Sequence, residues 1–97
     1  MEPSRPTKAA LLSGAGDTQV IPVENPGRLV GMQALGGTNV ILNLYEGTDN
    51  TGRFLGQARI TSLVPIMFPD GALPKITAGL FAELAGTSPV AQVWYVE

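Results

Sequence analysis

Few side chains in this chain could do chemistry, and two of them stand close together. Glu46 and Asp49 border the polar turn in NVILNLYEGTDNTGRFLGQARI, residues 39–60. A glycosidase needs two carboxylates flanking a cleft, one to donate a proton and one to act as base or nucleophile. A β-sandwich of 97 residues has little room for such a cleft. With Asn50, the same carboxylates form a hard oxygen set of the kind calcium takes, although their spacing follows no calcium-loop pattern. The plainer reading makes Asp49 and Asn50 turn formers whose short side chains bond the local backbone. The chain has no histidine and no cysteine. Ser-His-Asp, Cys-His and histidine general-base mechanisms are therefore excluded within it, as are the usual zinc sites and disulfide staples. Ser13-Gly14-Ala15-Gly16-Asp17 is not a phosphate loop, because no Lys-Ser/Thr follows. Trp94, Tyr95 and Phe81 offer aromatic surface for a sugar, but neighbours on one strand face opposite sides and cannot share a platform. Trp94 reads as a core residue and Tyr95 as a rim or interface residue. The expectation is a chain that is not an enzyme and takes no cofactor or metal.

Charge narrows the partners. Net charge is −2, with six basic residues scattered through the chain. A nucleic-acid binder needs a basic stripe that releases counterions, so no nucleic-acid partner is expected. Only 14% of residues are charged, against about 25% in ordinary soluble domains. Few charges leave little to keep copies apart, which favours assembly with a partner. No apolar run approaches the roughly 20 residues of a membrane helix, and the start of the chain lacks a signal peptide's apolar stretch. No membrane partner is expected.

The elements that must position these residues are strands. Turn signals recur at Asn25-Pro26-Gly27, Gly36-Gly37-Thr38, Gly47–Gly52 and around Pro69 and Pro74. Between them lie apolar or alternating runs at 18–24, 28–35, 39–46, 53–60, 64–68, 76–84 and 89–96. Pro22 and Pro65 mark edge strands, since proline cannot donate to a ladder. A helix over 78–85 is the rival reading, opposed by Gly79 and by the short room between Pro74 and Gly86. The spacing predicts an all-β domain, a single antiparallel β-sandwich or jelly-roll-like fold over residues 18–97. Its expected core is Leu42, Leu44, Phe54, Ile60, Leu80, Leu84 and Trp94.

Residues 1–17 read as an extended N-terminal arm, broken by Pro3 and Pro6 and jointed at Ser13–Asp17. Its apolar centre holds Leu11 and Leu12, which need a surface to cover them, either the domain's own or a neighbour's. Burying each is worth roughly 1.5–3 kcal/mol, while ordering the arm costs about 1–2 kcal/mol per residue. The arm is therefore expected to order only on a partner, through Arg5, Lys8, Leu11 and Leu12.

The segments VILNLYEGTDNTG (40–52), LGQARI (55–60), FPDG (68–71), ITAGLF (76–81) and VWYV (93–96) resemble the small β-sandwich virion proteins of tailed bacteriophages. Those proteins carry a "v-v-y-dGt-s-G" hairpin, then a "GLy" strand, then a valine-rich last strand. The resemblance runs from Gly27 to Glu97, with Glu46 standing where the pattern has Asp. It implies a capsid decoration (cement) protein or head-fibre component on the capsid surface of the virion. The implied partner is the major capsid protein or another virion protein, and the implied assembly is a homo-oligomer, a trimer. It supplies no catalytic residues. A small carbohydrate-binding module and a host-directed adaptor are the alternatives.

Overall fold

A computed structural model describes residues 7–59, 65–68 and 73–97. Arg5 and Ile60, named above for partner binding and for the core, lie outside the described residues. The strands are β1 (Lys8–Ser13), β2 (Gly16–Ile21), β3 (Gly27–Glu46), β4 (Arg53–Arg59), β5 (Ile66–Met67), β6 (Lys75–Ile76) and β7 (Leu80–Val96). Every pairing is antiparallel and all belong to one sheet. The fold is all-β, and the stretch 80–85 weighed above as helix is strand.

The sheet has β1 and β2 end to end along one edge, then β7, then β3, with β4, β5 and β6 along the other edge. It is folded across its middle into two facing layers. The first layer holds β1, the end of β7, the start of β3, β5 and β6. The second holds β2, the start of β7, the end of β3, and β4. The ends of the 20-residue β3 meet as a result: Ile76 pairs with Gly27, and the next residue, Thr77, donates its backbone N–H to the Glu46 carboxylate at 2.7 Å. Across the interior, a Cβ on Gly56 of the second layer would lie 2.6 Å from Cε of Met32 in the first.

The crease has a chemical cause. Residues in the left-handed region line up across neighbouring strands: Gly14, then Gly86 and Ser88 on β7, then Gly37 and Asn39 on β3. Thr38 pairs with Thr87 between them. L-residues avoid that region, and glycine enters it at no steric cost. Four register shifts in the β3–β7 pairing accompany the bend, three of them between Ala34 and Ile41. Gly36-Gly37-Thr38, expected to separate two strands, is thus a corner inside one strand. The same holds for Gly86–Pro89, expected to separate 76–84 from 89–96.

The core fills the space between the layers with Leu12, Ile21, Leu29, Met32, Val40, Leu42, Leu44, Ile76, Leu80, Leu84 and Val93, joined by small alanines. Four expected core residues, Leu42, Leu44, Leu80 and Leu84, are there. Phe54 is not: it is 55% exposed on the outside of β4. Trp94 is half-buried on the outer face, while its neighbours Val93 and Tyr95 point inward. The reason is a change of parity at the crease. Leu80, Ala82 and Leu84 face in before it, and Pro89, Ala91 and Val93 after it. Beside Trp94 on β3 is Gly31, whose missing side chain leaves room for large neighbours on that outer face.

The arm also requires correction. From Lys8 onward it is part of the domain, paired with β7 from Lys8–Tyr95 to Ser13–Val90 without a register break. Gly14 closes the corner by donating its N–H to Pro89 O at 2.9 Å. Ordering these residues is offset by a shared ladder and by the burial of Leu12, gains that an isolated arm lacks.

Candidate partner-binding surface

The hairpin carboxylates are each held by their own local hydrogen bonds. Glu46 ends β3 and accepts from the Thr77 N–H, from the Thr77 hydroxyl at 3.1 Å and from Arg53 Nε at 3.0 Å. The Thr77 backbone bond, ahead of the hydroxyl and the Arg53 charge, holds its carboxyl below the usual range. Asp49 accepts from the Thr51 hydroxyl and, at 2.9 Å, from the Thr51 N–H; those bonds lower its pKa too. This is an Asx turn, the local role that short polar side chains take in loops. Asn50 turns away from both and donates to Glu83 at 3.2 Å. The oxygen set considered for calcium is therefore not gathered, and the described residues hold no cluster of three metal-ligating side chains.

The expected partner residues separate into different environments. Lys8 forms an ion pair with Glu97 at 2.9 Å, and Asn25 donates to the same carboxylate at 2.8 Å. The Lys8–Glu97 hydrogen bond raises the lysine pKa and lowers that of the glutamate. Leu12, at 7% exposure, belongs to the core and cannot meet a partner. Leu11 is 65% exposed and points outward from the first layer.

Leu11 has company. Register places Leu11 beside Gln92 and Gln33, Ala9 beside Trp94, Gly31 and Met67, and Ser13 beside Val90 and Gly36. Residues opposite one another share a face. The outer face of the first layer thus presents Leu11, Val90, Trp94 and Met67, with Met67 50% exposed and Leu35 emerging at the bulge beside Gly36. Its polar members are Ser13, Gln33 and Gln92, and its formal charges are Arg28 and, paired with it, Lys75 at one end. The sequence shows the ingredients of this face but not its grouping, which depends on the strand order and on the inversion at the crease.

The outer face of the second layer differs in chemistry. Asp17, Glu83, Asn43 and Gln57 form one cross-strand row, tied by a 2.8 Å bond from Gln57 to Asn43. Phe81, Tyr45 and Phe54 form the next. Tyr45 and Phe54 meet edge to face, with centroids 5.5 Å apart and planes at 64°. Sequence reasoning missed this row, because the bulge at Leu55 shifts Phe54 onto the outer side. Comparison with protein-family models, curated proteins and solved structures finds no match for this chain.

Proposed function

We propose that the chain is a non-enzymatic virion structural protein, a capsid decoration or cement protein. It seats the outer face of its first layer on the major capsid protein or another virion protein and works as a homo-oligomer. The observation that carries this reading is the segregation of the two outer faces. Leu11, Leu35, Trp94 and Met67 gather on a face that carries no carboxylate by register and has its cations, Arg28 and Lys75, at one end, while Asp17 and Glu83 stand in the row across the other. Scattered exposed apolar residues need no explanation, whereas a grouped set marks a surface that another molecule covers. The resemblance to tailed-phage virion proteins supplies the class of partner. Many symmetric copies then let weak single contacts sum.

The test is co-sedimentation of the chain with particles assembled from a major capsid protein encoded by the same genome. Met67→Glu places a charge on the seat at an exposed position of its β5 edge, so the fold should survive. Wild type should pellet with particles and the variant should remain in the supernatant. Equal pelleting of both would overturn the seat, and no pelleting of either would overturn the capsid reading. The glycan-binding alternative draws on the Phe54–Tyr45 row, but rings at 64° to one another present no flat stacking platform.

A further inference from the structure

We propose that β1 is a pairing edge for a second copy of this chain, joined antiparallel β1 to β1 about a two-fold axis. The inference rests on edge geometry and is tested without particles, so its failure leaves the capsid reading where it stands.

The two edges of the sheet are unlike. An edge strand offers unpaired backbone donors and acceptors, and proteins guard such edges with charges, prolines, bulges and short strands. The β4–β6 edge carries all four. Arg53 and Arg59 bound β4, a bulge interrupts its pairing with β3, Pro65 and Pro74 stand beside β5 and β6, and those two strands are two residues each. Along the other edge, β2 is guarded as well. It carries Asp17, its register shifts after Gln19, and Pro22 follows it. Lys8–Ser13 has no proline and no bulge, and its single charge is at its first residue. Its pairing with β7 is regular throughout, its interior is Ala9-Ala10-Leu11-Leu12, and its one charge is turned onto Glu97.

What fits this edge is an extended strand of about six residues. Residues 1–6 are a poor occupant, since Pro3 and Pro6 have no N–H to give to a ladder. A second β1 fits, because antiparallel self-pairing uses the same residues on both sides and closes on itself. The guarded opposite edge blocks head-to-tail growth. The pairing window is also bounded, by Pro6 before β1 and by the crease at Gly14 after it. Joined this way, the two first layers form one sheet, and their apolar outer faces become continuous across the axis.

Area sets the strength. Six residues span about 20 Å, and the molecule is 18 Å thick. That wall is about 360 Å² in projection, against roughly 600–1,000 Å² per partner for a stable interface. The dimer is therefore concentration-dependent and draws on side chains flanking the ladder, Leu11 first.

The absence of cysteine makes a direct experiment available. Single-cysteine variants Ala9→Cys, Ala10→Cys and Leu11→Cys are oxidised beside a control, Thr48→Cys in the exposed hairpin loop. At a two-fold axis a residue faces its own copy with Cβ atoms about 4.5–5.5 Å apart, near enough to cross-link. One or two β1 positions should give a covalent dimer at least tenfold faster than Thr48→Cys. Sedimentation of the unmodified chain should show a mass rising toward two chains with concentration, and Leu11→Lys should hold it at one. A mass of one chain at every concentration, a limiting mass of three chains, or equal cross-linking at the loop and the edge would each overturn the proposal.

Discussion

Leu11 and Leu12 are adjacent in sequence and opposite in role, because successive side chains of a strand point to opposite faces. Leu12→Ala should cost about 2–5 kcal/mol, the usual range for a buried leucine, whereas Leu11→Ala should stay within about 0.5 kcal/mol. Denaturant unfolding of the two variants checks this directly, and equal losses would mean that β1 is not seated as described. Glu46 is a carboxylate whose titration bears on the fold, since it ties the end of β3 to Thr77. Its pKa is lowered in the folded protein, so the unfolded chain binds the proton more readily. The resulting stability is present above the unfolded value of about 4.3 and is lost as pH falls through the lower folded value. The unfolding midpoint should therefore be insensitive to Glu46 titration near neutrality and drop in acid. Glu46→Gln should flatten that acid drop, and an unchanged acid slope in the variant would refute the assignment.

Strand positions and the hairpin were legible because alternation and Gly/Pro punctuation are local signals. The crease was not. Gly37 and Gly86 supply positive φ, and a turn between two strands asks for the same residues as a corner within one strand. Which of the two forms depends on whether the ladder resumes beyond, and that is decided by partners far along the chain. The same blindness placed Trp94 in the core, since parity after Gly86 cannot be carried over from parity before it. At Gly37 the demand is strict. Its φ is +105°, and an added Cβ would lie 2.7 Å from Ser88 O and 2.8 Å from both Thr87 O and Val40 Cγ2. Gly37→Val should therefore destabilise by at least about 2 kcal/mol, combining backbone strain with a clash against main chain. A thermal melt within 2 °C of wild type would show that the crease tolerates ordinary residues, contrary to a reading in which ~2 kcal/mol shifts the midpoint by about 10 °C. The β1 edge makes a companion case. Deleting residues 1–13 removes Leu12 and the ladder on β7, and should cost at least about 3 kcal/mol. A true arm would be lost at no cost to the domain, so full retention of stability would restore that reading.

At the scale of the whole molecule, the fold is a flattened body of 45 × 26 × 18 Å with two broad faces of different chemistry. Folding one long sheet across a crease produces them: β3 and β7 each cross from one layer to the other, so each must dress two outer faces. The first part of β3 and the last part of β7 dress theirs with Val, Leu, Trp and Gln and one Arg, and the remaining halves theirs with Asn, Glu, Tyr and Phe. A charge-mediated seat and an apolar seat respond differently to salt. Exposed charges are screened beyond about 8 Å at 0.15 M and beyond about 3 Å at 1 M ionic strength, while apolar burial is not weakened by such screening. Of the two cations expected to carry attachment, Lys8 is paired with Glu97, and Arg5 lies outside the described residues. Attachment through the first layer's outer face should therefore survive a rise from about 0.1 M to about 1 M sodium chloride with less than a threefold loss of affinity. Attachment through a few exposed ion pairs should weaken by tenfold or more over the same range. Binding isotherms on capsid particles at the two salt concentrations distinguish these outcomes, and a steep loss would move the seat from the Leu11–Trp94–Met67 face to the charged face of the second layer.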